Sequence, residues 1–122
     1  VFKAALYLVT ATKDRTTTVY NSTGELAATG NYTAGGETVT NATVPANTGG
    51  TGIVAFWTPS ASLVWAALTS SGAFDAMVLY NDSNTAKAAV AVFTFGSQTV
   101  TAGTLTLAMP TNDLTTGLIR VS

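Results

Sequence analysis

The sequence predicts an all-β fold: a single domain over residues 1–122, built as an antiparallel β-sandwich or jelly-roll-like barrel of about eight short strands. Three observations carry this expectation. Thr is the commonest residue, with 24 copies, and its β-branched side chain favours strands. The longest apolar runs, Ala4–Val9, Leu63–Leu68 and Ala88–Phe93, are six residues each, far below the ~18 of a membrane-spanning helix. Turn-forming Gly, Asn, Asp and Pro separate the apolar stretches. At 122 residues the chain can bury a core without disulfide or metal staples.

Phe2–Val9 is the first strand. Phe2, Ala4, Leu6 and Leu8 point one way and Lys3, Ala5, Tyr7 and Val9 the other. Lys3 before an apolar stretch also fits the opening of a secretory leader, but the stretch is short and runs into Lys13-Asp14-Arg15, so the strand reading is taken. Asp14–Gly36 reads as a long loop or extended arm, anchored before Tyr32 only by Val19-Tyr20 and Leu26-Ala27. A segment of that length is either functional or partly strand.

Glu37–Val44 reads as a Thr-rich strand, Pro45–Gly50 as a loop, and Thr51–Thr58 as a buried strand through Ile53, Val54, Ala55, Phe56 and Trp57. Pro59–Ser62 is a break. Leu63–Leu68 fits a strand or a short helix capped by Ser60 or Ser62; the favoured reading is a brief strand through Trp65, then a turn ending at Gly72. Ala73–Asn81 and Lys87–Phe95 form a hairpin around Asp82–Ala86. Ala88–Phe93 is apolar on both faces and is expected to be central. Thr104–Met109 alternates, with Leu105, Leu107 and Met109 inward. Pro110–Thr116 is a loop and Gly117–Val121 the last strand. No charge run, linker or fixed-period repeat divides the chain.

The composition restricts the chemistry. With no Cys and no His, the chain has no disulfide, no thiol nucleophile, no His-based triad and no zinc site of the usual ligands. Net charge is −1, which gives no basic footprint for nucleic acid. Charged residues are 9% of the chain, against roughly 25% in an ordinary soluble domain. A surface so poor in charge promotes association.

No phosphate loop or nucleophile elbow is present; Gly49-Gly50-Thr51-Gly52 lacks the Lys and the strand-to-helix setting. The carboxylates are Asp14, Glu25, Glu37, Asp75, Asp82 and Asp113, and none forms a recognisable catalytic pair. Asp82 and Asp113 read as turn residues. Asp82-Ser83-Asn84-Thr85 lacks the Gly and Glu of a calcium loop. Asn21, Asn31, Asn41 and Asn81 each open an N-x-S/T tripeptide, expected by chance in so Thr-rich a chain. Tyr7, Tyr20, Tyr32, Tyr80, Trp57 and Trp65 could offer stacking surfaces. Trp57 belongs by default to the core, whereas Tyr20, Tyr32 and Trp65 flank loops and are the candidate interface residues.

Several segments carry a resemblance: Phe2-Lys3-Ala4-Ala5-Leu6-Tyr7, Gly30-Asn31-Tyr32-Thr33-Ala34-Gly35-Gly36, Ala76-Met77-Val78-Leu79-Tyr80-Asn81, Val92-Phe93-Thr94-Phe95-Gly96 and Leu118-Ile119-Arg120-Val121. In this order and spacing the chain resembles a group of small β-rich virion structural proteins of tailed bacteriophages, from which it departs in its low charge. The resemblance implies no catalytic residue, no cofactor and no metal. It implies a capsid decoration or cement protein on the virion surface, assembled in the host bacterial cytoplasm. The major capsid protein is then its partner, with self-association as dimer or trimer and without nucleic acid or membrane. A head-tail connector, neck or tail component is the alternative within the virion, and an extracellular carbohydrate-binding module the alternative outside it. The long segment Asp14–Gly36 is expected to be the contact surface, with Tyr20 and Tyr32 either anchoring a partner or tacking the segment onto its own sheets.

Overall fold

The computed structural model describes residues 1–40, 46–48 and 54–121. Among the described residues there are nine strands and no helix: β1 (Phe2–Leu8), β2 (Glu37–Thr38), β3 (Ala46–Thr48), β4 (Val54–Trp57), β5 (Leu63–Leu68), β6 (Phe74–Asn81), β7 (Ala89–Gln98), β8 (Gly103–Leu107) and β9 (Ile119–Val121). The all-β, antiparallel expectation holds. The largest sheet, in the order β2-β1-β6-β7, is open, so no barrel is closed. The chain divides into two compact units, one of Val1–Thr38 and Val64–Leu105, the other of Val39–Leu63 and Thr106–Ser122.

The first unit is organised by β1 and β6. They pair antiparallel from Phe2↔Asn81 to Leu8↔Phe74. Ala4, Ala5, Leu6 and Tyr7 are all fully buried, as are Phe74, Val78 and Tyr80, so both faces of this pair are inside. Large and small residues alternate across it: Tyr7 faces Ala76 and Val78 faces Ala5. Ala5, Tyr7, Ala76, Val78 and Tyr80 form one cluster, with Ala11, Tyr20, Ala89 and Val92 packed against it.

The outer edge of β1 is closed by two pieces of the segment Asp14–Gly36 and its continuation. Leu26 N–H donates to Leu6 C=O at 2.9 Å and Leu8 N–H to Gly24 C=O at 2.9 Å. Further along, Lys3 and Ala4 pair with β2. The long segment is therefore partly a strand edge rather than a free arm.

In the second unit β4 lies between β3 and β9. Phe56, Trp57 and Thr58 are buried, and Thr58 Oγ1 accepts the Leu118 N–H at 2.8 Å. Thr40 C=O takes both the N–H and the hydroxyl of Ser60.

Several sequence expectations change. The Glu37–Val44 strand is two residues within its described part, because the chain leaves the β1 edge after Thr38. Ala46–Thr48, expected as loop, is a strand because β4 supplies its hydrogen-bond partners. Leu63–Leu68 is a strand throughout. Leu63, Trp65 and Leu68 are buried, and the extra residue in that spacing is absorbed at Ala67, whose φ is +51°. The apolar strand expected to be central begins at Ala89 and lies at the sheet edge. Leu105, Leu107 and Met109 do take the more buried side of the β8 alternation. Asn41, Gly49-Gly50-Thr51-Gly52 and the opening of the expected Thr51–Thr58 strand lie outside the described residues.

The Gly35-Gly36 pair is fixed by the close approach of β1. Both residues have positive φ, +89° and +75°. A Cβ on Gly36 would sit 1.9 Å from the Ala4 carbonyl oxygen. Gly36→Ala therefore combines a left-handed strain of about 1–2 kcal/mol with a backbone clash. It is expected to destabilise the first unit by at least about 2 kcal/mol, read as a lowered urea midpoint at unchanged slope.

Candidate interface

The long segment converges on one buried carboxylate. Glu25 sits between Gly24 and Leu26, the two residues bonded to β1, and a Tyr7↔Glu25 bridge holds its backbone there. Its side chain points inward and the residue is only 9% exposed. Tyr20 Oη donates to Oε2 at 2.6 Å, while Tyr32 Oη at 2.8 Å and Gly35 N–H at 2.6 Å both donate to Oε1. No cation pairs with Glu25 among the described residues. Three donors satisfy a buried charge in place of water.

The other tyrosines extend the network. Tyr32 Oη accepts the Leu6 N–H at 3.0 Å. Tyr80 Oη donates to Gly35 C=O at 2.8 Å, and Tyr7 Oη to Asn21 C=O at 2.7 Å. The Tyr20 and Tyr80 rings stack with centroids 4.5 Å apart. Lys13 Nζ lies 4.2 Å from the Tyr7 ring centre. All four tyrosines of the chain thus hold Asp14–Gly36 onto the β1–β6 sheet.

This placement changes the reading of the candidate residues. Tyr32 is 4% exposed and Trp65 1%, so neither ring is available to a partner or a sugar. Tyr20 is half-buried and occupied by Tyr80 and Glu25. The three do not form a common surface. Tyr20 and Tyr32 tie the segment inward, and Trp65 is buried within β5.

The turns are also accounted for. Asp14 accepts the Thr16 N–H and hydroxyl, and Asp113 accepts the N–H and hydroxyl groups of Thr115 and Thr116. These bonds hold both carboxyls below the usual range. Asn21 and Asn81 use their side-chain oxygens on Thr23 N–H and Ser83 N–H, so these two tripeptides are Asx turns. Asp82 pairs with Lys3 at 3.6 Å and Lys87 at 3.4 Å. Among the described residues no group of acidic side chains could hold a metal ion.

Among the sheet edges of the described residues, the outer edge of β7 is the longest. Its first residues are covered: Ala89 N–H donates to Thr18 C=O at 2.8 Å and Tyr20 N–H to Lys87 C=O at 2.9 Å. Beyond Ala89 no strand pairs with it among the described residues. The alternation across the sheet shows which groups are free. Leu6 turns both backbone groups away from β6, towards Tyr32 and Leu26, so its partner Met77 turns both towards β7. Val78 and Ala76 then face β1, and their partners Val92 and Thr94 point their backbone groups outward. Val90, beside them, is 43% exposed. Across a groove of about 470 Å³ from this edge lies the turn Lys13–Thr17.

Comparison with protein families, with curated proteins and with solved structures finds no match for this chain.

Two outcomes test the hub. Glu25→Ala leaves two phenols and one backbone N–H without their acceptor and should cost about 3 kcal/mol or more in urea unfolding, with Glu25→Gln less damaging. Alkali should act through the phenols. Burial pushes all four up from 10.0; the Glu25 charge adds to this at Tyr7, Tyr20 and Tyr32, and Asp82 at Tyr80, which reaches about 12. A raised value favours the neutral form in the fold. Its stabilising effect is complete below the unfolded value near 10 and is lost as pH climbs through the folded values. Phenolate absorbance should stay flat through pH 10 and then rise together with unfolding; a normal titration with the fold intact would contradict the hub.

Proposed function

We propose that the chain is a non-enzymatic virion structural protein, a capsid decoration protein that binds the shell of the major capsid protein. One structural observation supports it most: an apolar strand, Ala-Val-Ala-Val-Phe-Thr-Phe, left unpaired along most of one edge. Such edges pair with other chains unless they are blocked. This one carries no charge and no Pro within Ala89–Phe95. The charge-poor, Thr-rich composition and the resemblance to small β-rich phage virion proteins point the same way. Repetition of a modest contact over a symmetric shell then supplies the holding strength.

The test is reconstitution. Undecorated shells of the phage that encodes this chain are mixed with the purified protein, and occupancy and shell rupture on heating are measured. Decoration requires saturation in proportion to the number of capsid subunits, with a higher rupture temperature. Binding confined to one vertex or to tails assigns the chain to the neck or tail instead. Absence of any particle binding overturns the virion reading.

A further inference from the structure

We infer that the groove between the Lys13–Thr17 turn and the free edge of β7 receives an extended segment of a partner chain, apolar with acidic side chains, which adds to the sheet as a strand beside β7. The inference rests on the assembly reading for its choice of a protein partner.

Continuity argues for a strand. Thr18–Tyr20 already runs antiparallel beside the start of β7, bridged at Val19↔Ala88. The chain then turns off this line at the bonded turn of Asp14, Thr16 and Thr17. The line itself continues past Val92 and Thr94, whose outward N–H and C=O groups offer the ladder of main-chain bonds on which strand addition depends. At ~3.3 Å per residue, the edge from Val90 to Thr94 accommodates about five residues.

The wall of the groove selects a slender occupant over a second copy of this chain. A second β7 would arrive with β6 bonded to its far side, where the Lys13–Thr17 turn stands. A single extended segment has no such sheet behind it and fits between the turn and the edge.

Charge defines the segment further. The protein is acidic overall, with a sequence pI near 4.9. Lys3 and Lys87 are paired with Asp82. Lys13 and Arg15, both lining the groove, form no ion pair among the described residues, with Lys13 Nζ lying over the Tyr7 ring; Asp14 between them also lines the groove and keeps its charge while accepting from Thr16. Two cations against one carboxylate leave the groove wall net positive beside an apolar edge, and this complements a strand of alternating apolar and acidic residues.

The experiment uses the full chain, labelled for amide resonances, and two synthetic peptides: Thr-Val-Glu-Val-Glu-Val-Thr and the same peptide with Lys in place of Glu. The acidic peptide should shift and protect the amides of Val92 and Thr94. The basic one should bind at least about tenfold more weakly, and Lys13→Glu with Arg15→Glu should reverse the preference. Thr94→Pro removes an outward N–H at an exposed position without touching the β6 ladder, so it should abolish binding of both peptides while thermal melting is retained. If that variant melts early, the charge reversals carry the test.

Failure of both peptides to protect Val92 and Thr94 overturns the inference. So does equal binding of the two, or protection that grows with protein concentration alone, which makes the occupant a second copy. Shells that bind the chain without protecting these amides overturn the groove and leave decoration standing. Peptide capture without shell binding does the reverse.

Discussion

A carboxylate removed from water must find donors, and in this chain that requirement decides how the first 38 residues lie. Glu25 cannot be buried until Tyr20, Tyr32 and the Gly35 N–H surround it. Those three come from different parts of one long, apolar-poor segment. Satisfying one charge therefore fixes the course of the whole segment, and with it the cover over the outer edge of β1. The glycine pair follows from the same constraint. Gly35 must offer its N–H to Glu25 and its carbonyl to Tyr80, and Gly36 must then pass against the Ala4 carbonyl without a Cβ.

Much of the strand pattern was legible. β1, β6 and β8 alternate or run apolar as their burial requires, and local signals suffice for them. The failures share a cause. Whether an apolar strand is central or marginal depends on its neighbours, which periodicity does not report; β1 and β7 both carry apolar runs, yet one is interior and the other an edge. The Leu63–Leu68 strand was cut short because its spacing of buried residues slips by one at Ala67, where a positive φ restores the alignment. Ala46–Thr48 is a strand by virtue of β4, not of its own residues.

The sequence left two readings of Tyr20 and Tyr32 open, partner anchor or tack onto the chain's own sheets, and the structure has the second. Tyr20 and Tyr32 stand in a polar, Thr-rich stretch, and such surroundings suggest exposed rings. Their partner was a single Glu in the same stretch. In a chain with only six acidic residues, one set between tyrosines on either side was a usable signal, but its burial was visible only in three dimensions. The groove was harder still. Lys13 and Arg15 read only as the charges that cut short a secretory leader, and nothing local joins them to residues some eighty positions later.

The pairing of β1 with β6 also sets a timetable. Phe2 pairs with Asn81, so on the ribosome the first strand emerges long before the strand that completes it. At roughly 5–20 residues per second, the wait lasts on the order of several seconds. Throughout that interval an apolar strand, the future centre of the sheet, has no lasting place to go. The hub cannot shelter it, since Tyr80 arrives with β6. A nascent chain released before β6 is made would be unable to form the central pair at all, so a strand made late decides whether one made early can settle.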